Sequence, residues 1–257
     1  MIATLKLVVE YDGAGFEGWQ RQPEGHRTVQ AELERALSAL GRLQRLMGAG
    51  RTDAGVHAEG QVASVEIETR LDAATLGRAL NAKLPRDIAV PVCRAVAAGF
   101  DARRDALRKH YRYRVWNGPL RSPLRADRAL HVREALDTAA LRRALTHLEG
   151  RHDFAAFQGV GTPVPHTVRT LSRAALSGGA GAELAFDFAG DGFLRHMVRN
   201  LVGTLLEVGR GRRDPDSLPL LIASRDRGQA GPTARPEGLT LVAVEYPAPF
   251  AEPGECP

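Results

Sequence analysis

The sequence predicts an α+β fold in which helices pack on a mixed, mostly antiparallel sheet. Segments that alternate apolar and polar residues, the period of a half-buried strand, are interleaved with segments whose apolar residues recur at helical spacing. A glycine-rich turn at residues 177–182 joins two strands as a hairpin. The hydrophobic fraction of 44% and the charged fraction of 25% are ordinary for a soluble globular protein of 257 residues.

The first half of the chain alternates strands and helices. Residues 28–40 carry leucine or alanine at i, i+3, i+4 and i+7 and are followed by Gly41, which predicts an amphipathic helix with its C-terminal cap. Residues 72–84 predict a second helix, which Pro85 ends. Strands are predicted from their alternation at residues 3–10, 61–68, 88–96 and 110–116.

The second half repeats this order. Residues 137–149 predict a helix whose segment LRRALTHL (141–148) resembles LERALSAL (33–40). Because any two leucine-faced helices resemble each other, the similarity leaves a duplicated fold open. Further predicted elements are strands at 170–176, 183–189 and 239–246 and helices at 193–208 and 216–224.

These patterns divide the chain into three parts. We expect an N-terminal α/β half over residues 1–104 and a C-terminal α/β half over residues 105–246. Residues 247–257 (PAPFAEPGECP) are rich in proline and are expected to form a disordered tail.

Composition argues against several classes of protein. No segment approaches the about 20 consecutive apolar residues of a membrane span, and the N-terminal residues lack the features of a signal peptide. Cys93 and Cys256 are the only cysteines and lie far apart, so neither a disulfide framework nor a thiolate metal site is indicated. The eight histidines show no metal-ligand spacing. We therefore expect a cytoplasmic enzyme or binding protein that has no metal site and does not enter a membrane.

The charge is concentrated in one segment. The chain has 35 basic and 30 acidic residues, a net charge of +5, and codon usage in a GC-rich genome explains why most of the basic residues are arginine. Residues 100–125, however, contain eight basic residues against two acidic ones, so the rest of the chain is nearly neutral. Such a local excess of positive charge is typical of a surface that binds a phosphate backbone.

A glycine motif near the N-terminus is the first candidate site. Residues 13–18 match G-x-G-x-x-G after a predicted strand, as in dinucleotide-binding enzymes such as nucleotide-dependent oxidoreductases. In those enzymes a helix begins directly at the glycines, so that its amide groups meet the pyrophosphate. Here Trp19, Pro23 and Gly25 precede the predicted helix, which favours a tight exposed loop instead.

A second glycine-rich segment, GAGRTDAGVH at residues 48–57, surrounds a single carboxylate. Its glycines permit backbone conformations that other residues rarely adopt, so the loop can present Asp53 at a fixed place in a cleft. The alternative interpretation is an aspartate that only hydrogen-bonds to its own turn.

The predicted strand at residues 110–116 combines aromatic and basic side chains. Alternation puts Tyr111 and Tyr113 on one face and Arg112 and Arg114 on the other. Aromatic rings beside guanidinium groups suit the stacking of an unpaired base together with phosphate contact. The alternative is an ordinary strand with its tyrosines in the core and its arginines in water.

The apolar segment at residues 192–203 carries two arginines four residues apart, Arg195 and Arg199. At that spacing both lie on one stripe of a helix. A long arginine side chain can extend from an apolar helix to the surface, or it can reach a buried acid.

Several of these segments together resemble one family, the TruA-type tRNA pseudouridine synthases. The matching segments occur in the same order along residues 6–246. They are Tyr11-Asp12-Gly13, GWQRQ (18–22), AGRTDAGVH (49–57), YRY (111–113), HMVRNLVG (196–203) and EGL (237–239). One departure is FDARRDA at residues 100–106, where the family usually has F-H-A-R-F-S-A, and it could alter local RNA contacts.

The resemblance implies a fold and an activity. It implies two ferredoxin-like halves that share one mixed sheet, with an active-site cleft between them. It also implies a homodimer that binds tRNA and isomerises uridine to pseudouridine at positions 38–40 of the anticodon stem-loop without a cofactor. A non-catalytic protein that binds or folds tRNA on the same scaffold is the alternative, which needs the basic segment and Tyr111 but not Asp53.

The resemblance also implies roles for individual residues. Asp53 is the nucleophile, which attacks either the sugar C1′ or the base, and Arg199 is its ion-pair partner. Tyr111 stacks on the flipped base and is a candidate for removing the C5 proton, and Arg51 either fills the space that the base leaves or holds a phosphate. Phosphate contacts are expected from the basic segment, at Arg103, Arg104, Arg108, Lys109, Arg112 and Arg114.

Overall fold

The computed structural model of the chain describes residues 2–23, 25–161, 164–179 and 181–251. Its described residues form two compact units, the first reaching Leu107 and resuming at Thr240, and the second covering residues 108–239. The expected boundary at residue 104 lies close to the first transition. The expected C-terminal half, 105–246, differs from the second unit because the last strand belongs to the first unit.

The first unit is built on an antiparallel sheet with two helices. Its elements are β1 (Ile2–Tyr11), α1 (Val29–Ser38), β2 (Arg42–Gly48), β3 (His57–Glu68), α2 (Ala73–Lys83) and β4 (Ile88–Ala95). β1 pairs antiparallel with both β3 and β4, and β2 pairs antiparallel with β3. The last strand of the chain, residues 239–245, pairs with the start of β3 in parallel, through Thr240 and His57.

The two helices of this unit begin where the sequence predicts. The Thr28 hydroxyl accepts from the backbone N–H of Ala31, and the Asp72 carboxylate accepts from that of Thr75, so each side chain caps a helix. β2 was not predicted from its sequence, RLQRLMG. Three of its seven residues are polar or charged, and they do not alternate strictly with the apolar ones. The sequence of β2 alone therefore hides a strand, and its pairing partner β3 supplies the apolar pattern.

The second unit is also a sheet with helices. Its elements are β5 (Arg108–Trp116), β6 (Leu130–His131), α3 (Thr138–Thr146), β7 (Gly150–Asp153), β8 (Val168–Gly178), β9 (Glu183–Gly190), α4 (Met197–Gly209) and α5 (Leu218–Ser224). The antiparallel order is β5-β9-β8-β7, and β6 adds a short parallel pair to β5. With the last strand of the chain, β10 (Leu239–Glu245), the predicted α+β class with mixed, mostly antiparallel pairing is confirmed.

α4 begins four residues later than the predicted 193–208. The residue before it, His196, has a left-handed backbone conformation with φ of 58°, which interrupts a helix at that point. No helix in the described part of the chain has the length and apolar composition of a membrane span.

The C-terminal segment is packed where the sequence predicts disorder. The Lys6 side chain is fully buried in β1, and its Nζ donates to the Phe250 carbonyl at 2.7 Å. Arg94 donates to the same carbonyl at 2.6 Å, and the Phe250 ring lies 4.8 Å from that of Phe100. The prediction of disorder over residues 247–257 is therefore wrong for residues 247–251, because the Phe250 carbonyl accepts hydrogen bonds from two cations. The rest of that tail, 252–257, lies outside the described residues.

We predict that truncation after Tyr246 lowers the free energy of unfolding by about 2–4 kcal/mol, because it removes a carbonyl acceptor from two partly or fully buried cations. Truncation after Ala251 is the control, since it keeps the Phe250 contacts. Urea denaturation of both variants and the full chain measures the effect. Equal midpoints for the two truncations would show that the segment does not stabilise the unit.

Candidate active site

The loop that carries Asp53 lies between β2 and β3 and is held by backbone hydrogen bonds from the N-terminal segment. The Trp19 N–H donates to the Thr52 carbonyl at 3.1 Å, and the Gly55 N–H donates to the Phe16 carbonyl at 3.2 Å. These bonds join the loop on both sides of Asp53 to a neighbouring stretch of chain. The Asp53 side chain is half-buried. The loop therefore presents one carboxylate from a fixed backbone.

Buried polar side chains support the same loop from beneath. The Tyr11 hydroxyl and the Thr52 hydroxyl are 2.8 Å apart and buried. Gln61, which is fully buried, donates from Nε2 to the Gly50 carbonyl at 2.9 Å. Burial raises the pKa of Tyr11 to about 12, although hydrogen bonds with Thr52 and Gln61 act in the opposite direction. The phenol is thus neutral near pH 7 and retains its proton for hydrogen bonding.

The glycines of the N-terminal motif at residues 13–18 allow that stretch to lie close to the Asp53 loop. Gly18 has φ of +95°, and a Cβ on it would lie 2.7 Å from the Thr52 carbonyl oxygen. A Cβ on Gly13 would overlap the Val56 carbonyl. Only glycine combines the positive φ with such contact. The motif at 13–18 therefore packs against the Asp53 loop, in agreement with the tight loop that the sequence predicts.

Arg51 is exposed and is oriented by glutamines of the GWQRQ segment and of α1. Its Nε donates to Gln20 Oε1 at 3.1 Å. Gln20 Nε2 donates to Gln30 Oε1 at 2.8 Å, and Gln30 Nε2 donates to Glu34 Oε1 at 2.8 Å. No role was predicted for Gln20, although the segment GWQRQ is part of the family resemblance. The order of residues in that segment does not reveal that the Gln20 side chain contacts Arg51.

In the second unit, the predicted alternation along β5 is confirmed. Tyr111 is 8% exposed and Tyr113 is fully buried, whereas Arg112 and Arg114 are half-exposed. The Tyr111 ring meets the Phe193 ring edge-on, with centroids 4.9 Å apart.

Tyr113 is buried, and its hydroxyl is used in a hydrogen bond within the second unit. Its hydroxyl donates to the Arg235 carbonyl at 2.6 Å. Burial and the nearby Glu237 carboxylate raise the pKa of Tyr113 far above its usual range, although Arg199 and Arg235 act in the opposite direction. Its proton is therefore retained at any ordinary pH.

Arg199 lies in the first turn of α4 and is held by the segment that precedes β10. Its Nε donates to the Ala234 carbonyl at 2.7 Å, and the Ala234 N–H donates to the Arg199 carbonyl at 3.1 Å. Arg195 is exposed and lies before α4, because the left-handed His196 separates it from the helix. The predicted common helical stripe of Arg195 and Arg199 is therefore wrong.

The residues after Arg199 hold that segment in place. Asn200 is fully buried, and its Oδ1 accepts from the Thr233 hydroxyl at 2.6 Å and from Arg227 Nη2 at 3.1 Å. The Thr204 hydroxyl accepts from the Gly231 N–H at 2.9 Å. A Cβ on Gly203 would overlap the Pro232 carbonyl. The segment HMVRNLVG therefore combines Arg199 with residues that fix its surroundings.

Half of the predicted phosphate contacts are residues paired with carboxylates. Arg104 bonds to both oxygens of Asp105, at 2.8 and 3.1 Å. Arg112 bonds to both oxygens of Asp187, at 2.7 and 3.2 Å. Arg114 Nε lies 4.0 Å from a Glu183 oxygen. The other three basic residues are Arg103, which is exposed, and Arg108 and Lys109 on β5, which are half-exposed.

The departure at residues 100–106 forms its own hydrogen-bonded turn. Asp101 Oδ1 accepts from the N–H groups of Arg103 and Arg104, and Arg45 pairs with Oδ2 at 2.7 Å. Burial raises the pKa of Asp101, but these hydrogen bonds and Arg45 outweigh it, so the pKa lies below its usual value. The two aspartates thus neutralise part of the local positive charge.

Asp53 and Arg51 lie in the first unit, and Tyr111 and Arg199 lie in the second. Within each unit the structure explains how the backbone near these residues is held. The roles of all four, including the ion pair of Asp53 with Arg199, remain predictions.

Comparison with known proteins assigns the class. The family model described as tRNA pseudouridine synthase matches residues 7–103 and 144–247. A Thermus thermophilus protein named tRNA pseudouridine synthase A is 47% identical over 95% of this chain and 96% of its own length. Proteins of that name from Myxococcus xanthus and Moorella thermoacetica are 46% and 45% identical, each over 94% of this chain and over 91% and 99% of their own lengths. These matches define a pseudouridine synthase. The chain belongs to the tRNA pseudouridine synthase family, and the predicted resemblance is confirmed.

We predict that Gly203→Ala destabilises the protein by about 1 kcal/mol. Helix propensity alone would stabilise the variant by about 0.8–1 kcal/mol, whereas the overlap with the Pro232 carbonyl costs about 1–3 kcal/mol. Urea denaturation decides the sign. A stabilised variant would mean that the segment at residues 231–234 does not pack closely on α4.

Proposed function

We propose that this protein isomerises uridine to pseudouridine in the anticodon stem-loop of tRNA, at positions 38–40, with Asp53 as the catalytic residue. The family and the names of the relatives support tRNA as the substrate. The observation that carries the assignment to Asp53 is the loop at residues 49–57, in which one carboxylate is held by backbone bonds on both sides.

The reaction requires the uridine to leave the stem. Flipping it out costs a few kcal/mol of stacking and pairing. Asp53 then attacks the sugar C1′ or the base as a nucleophile. In the net reaction the N1–C1′ bond breaks and the C5–C1′ bond forms, while C5 loses a proton and N1 gains one. Atoms and electrons balance, so no oxidant or reductant is needed.

Three other residues complete the proposed site. Arg199 pairs with the Asp53 carboxylate, since a neighbouring cation favours the ionised form that a nucleophile needs. Tyr111 stacks on the flipped base and removes the C5 proton. Arg51 occupies the space that the base leaves, or it holds a phosphate there.

The remaining proposals concern the assembly. The chain acts as a cytoplasmic homodimer, and tRNA contacts both subunits. Phosphate contacts come from Arg103, Arg104, Arg108, Lys109, Arg112 and Arg114. For Arg104, Arg112 and Arg114 the phosphate competes with the carboxylates that pair with them.

We predict that Asp53→Asn lowers the rate of pseudouridine formation by at least about a thousandfold, because the amide keeps the shape but loses the nucleophile. The tRNA dissociation constant should stay within about threefold of the wild-type value. Chemical mapping of pseudouridine in unmodified tRNA measures the first quantity, and filter binding measures the second.

The matched control for this experiment is Glu59→Gln, which removes an exposed carboxylate six residues further along the chain. It should leave conversion unchanged. Full conversion by Asp53→Asn would instead support a protein that binds tRNA without this chemistry.

We predict that Gln20→Ala lowers kcat/KM about fivefold, since it removes one hydrogen bond of about 1 kcal/mol from Arg51. Gln22→Ala is the control, because Gln22 lies on the same segment and donates to the Glu17 carbonyl instead. In an Arg51→Ala background, Gln20→Ala should have no further effect. Additive losses would mean that Gln20 acts independently of Arg51.

A further inference from the structure

A cavity of about 190 Å³ lies in the second unit. Around the turn at Pro123–Arg125 and β6 it is lined by residues 121–123, 125–126 and 129–131, and Arg235 and Glu237 complete the lining. Small-molecule pockets usually measure about 300–1,000 Å³, so this cavity is too small for a cofactor. Its volume suits a group the size of a phosphate.

Three arginines line the cavity, and one of them is in excess over the available carboxylates. Arg125 lies 3.2 Å from Glu183, and Arg235 lies 2.9 Å from Glu237. Arg121 is exposed, and none of the described residues forms an ion pair with it. An anion that enters the cavity therefore meets a net positive charge.

One of these arginines is also held in place before any ligand arrives. The Arg125 guanidinium lies over the Trp116 ring, 4.6 Å from its centroid, and Nη1 donates to the Ser122 hydroxyl. Planar guanidinium groups bind phosphate through two parallel hydrogen bonds. Fixing the side chain in advance reduces the entropy that binding would cost.

The cavity lies at the end of β5, the strand that also carries Tyr111. Trp116 pairs with His131, which lines the cavity, at the end of β5. Tyr111 lies five residues earlier on β5, about 16 Å away at the rise of a strand. A phosphate bound here would therefore belong to another nucleotide than the one that Tyr111 contacts.

We infer that this cavity binds a backbone phosphate of the RNA substrate, at a nucleotide outside the reacting uridine, with Arg121 as its main ligand and Arg125, which already pairs with Glu183, as a weaker one. The inference rests on the proposed function only in taking tRNA as the substrate. Arg121 and Arg125 belong to the basic segment of the sequence but were not among its six predicted phosphate contacts.

The test is the salt dependence of tRNA binding by Arg121→Ala. Each phosphate contact that is lost lowers the slope of log K against log salt concentration by about 0.7–0.9. We expect that decrease, a dissociation constant raised about fivefold at moderate salt, and an unchanged kcat at saturating tRNA. Arg125→Lys, which keeps the charge but removes the planar fork, should raise the dissociation constant with little change in slope.

The control is Arg151→Ala, which removes an exposed arginine from β7, three strands away from β5 in the sheet. A slope for Arg121→Ala equal to that of this control and of the wild type would overturn the inference. A second contrary outcome is an Arg121→Ala variant that binds tRNA as the wild type does but has a changed sedimentation coefficient. That result would mean that this turn, on which Leu124 is 93% exposed, contacts a second copy of the chain instead of RNA. Binding is measured without turnover, so a wild type that binds tRNA but forms no pseudouridine refutes the proposed function alone.

Discussion

The position of Asp53 depends on backbone hydrogen bonds between two stretches that are distant in sequence. Residues 11–19 and 49–57 form one braced pair of loops, joined by bonds from Trp19 to Thr52 and from Gly55 to Phe16. Each such bond contributes only about 1 kcal/mol net. Their value is geometric, because a nucleophile misplaced by about 1 Å loses much of its effect. The conformational freedom of glycine is thus used to bring two backbones together.

In the second unit, a helix and the segment packed on it fix the position of the predicted site residue. Arg199 lies where α4 begins, and its guanidinium donates to the backbone of the segment that packs on that helix. Each unit has a fully buried amide side chain close to its predicted site residue, Gln61 in the first and Asn200 in the second. A buried amide is costly unless its hydrogen bonds are made, so each one specifies a single arrangement of the chain around it. The stability of each unit and the backbone geometry around Asp53 and Arg199 therefore depend on the same contacts.

The sequence predicted those features that depend on local pattern. The helices α1, α2 and α3 were predicted at residues 28–40, 72–84 and 137–149, and all three are confirmed. In the structure each begins directly after a side-chain cap, Thr28, Asp72 or Asp137. Features that depend on distant partners were not predictable. β2 needs β3 to become a strand, and residues 247–251 are ordered because Lys6 and Arg94 donate to their carbonyls. No local pattern in PAPFA indicates either donor.

The same limit applies to the charge of the basic segment. Its net positive charge is a property of residues that are adjacent in sequence, whereas the electrostatic field depends on residues adjacent in space. Asp187 lies 75 positions from Arg112, yet it bonds to both ends of that guanidinium. An arginine already paired in this way has less to gain from a phosphate, because binding must replace an existing charge-assisted bond. Counting basic residues therefore locates an excess of positive charge along the sequence, while the pairing in space decides how much of that charge neighbouring carboxylates already neutralise.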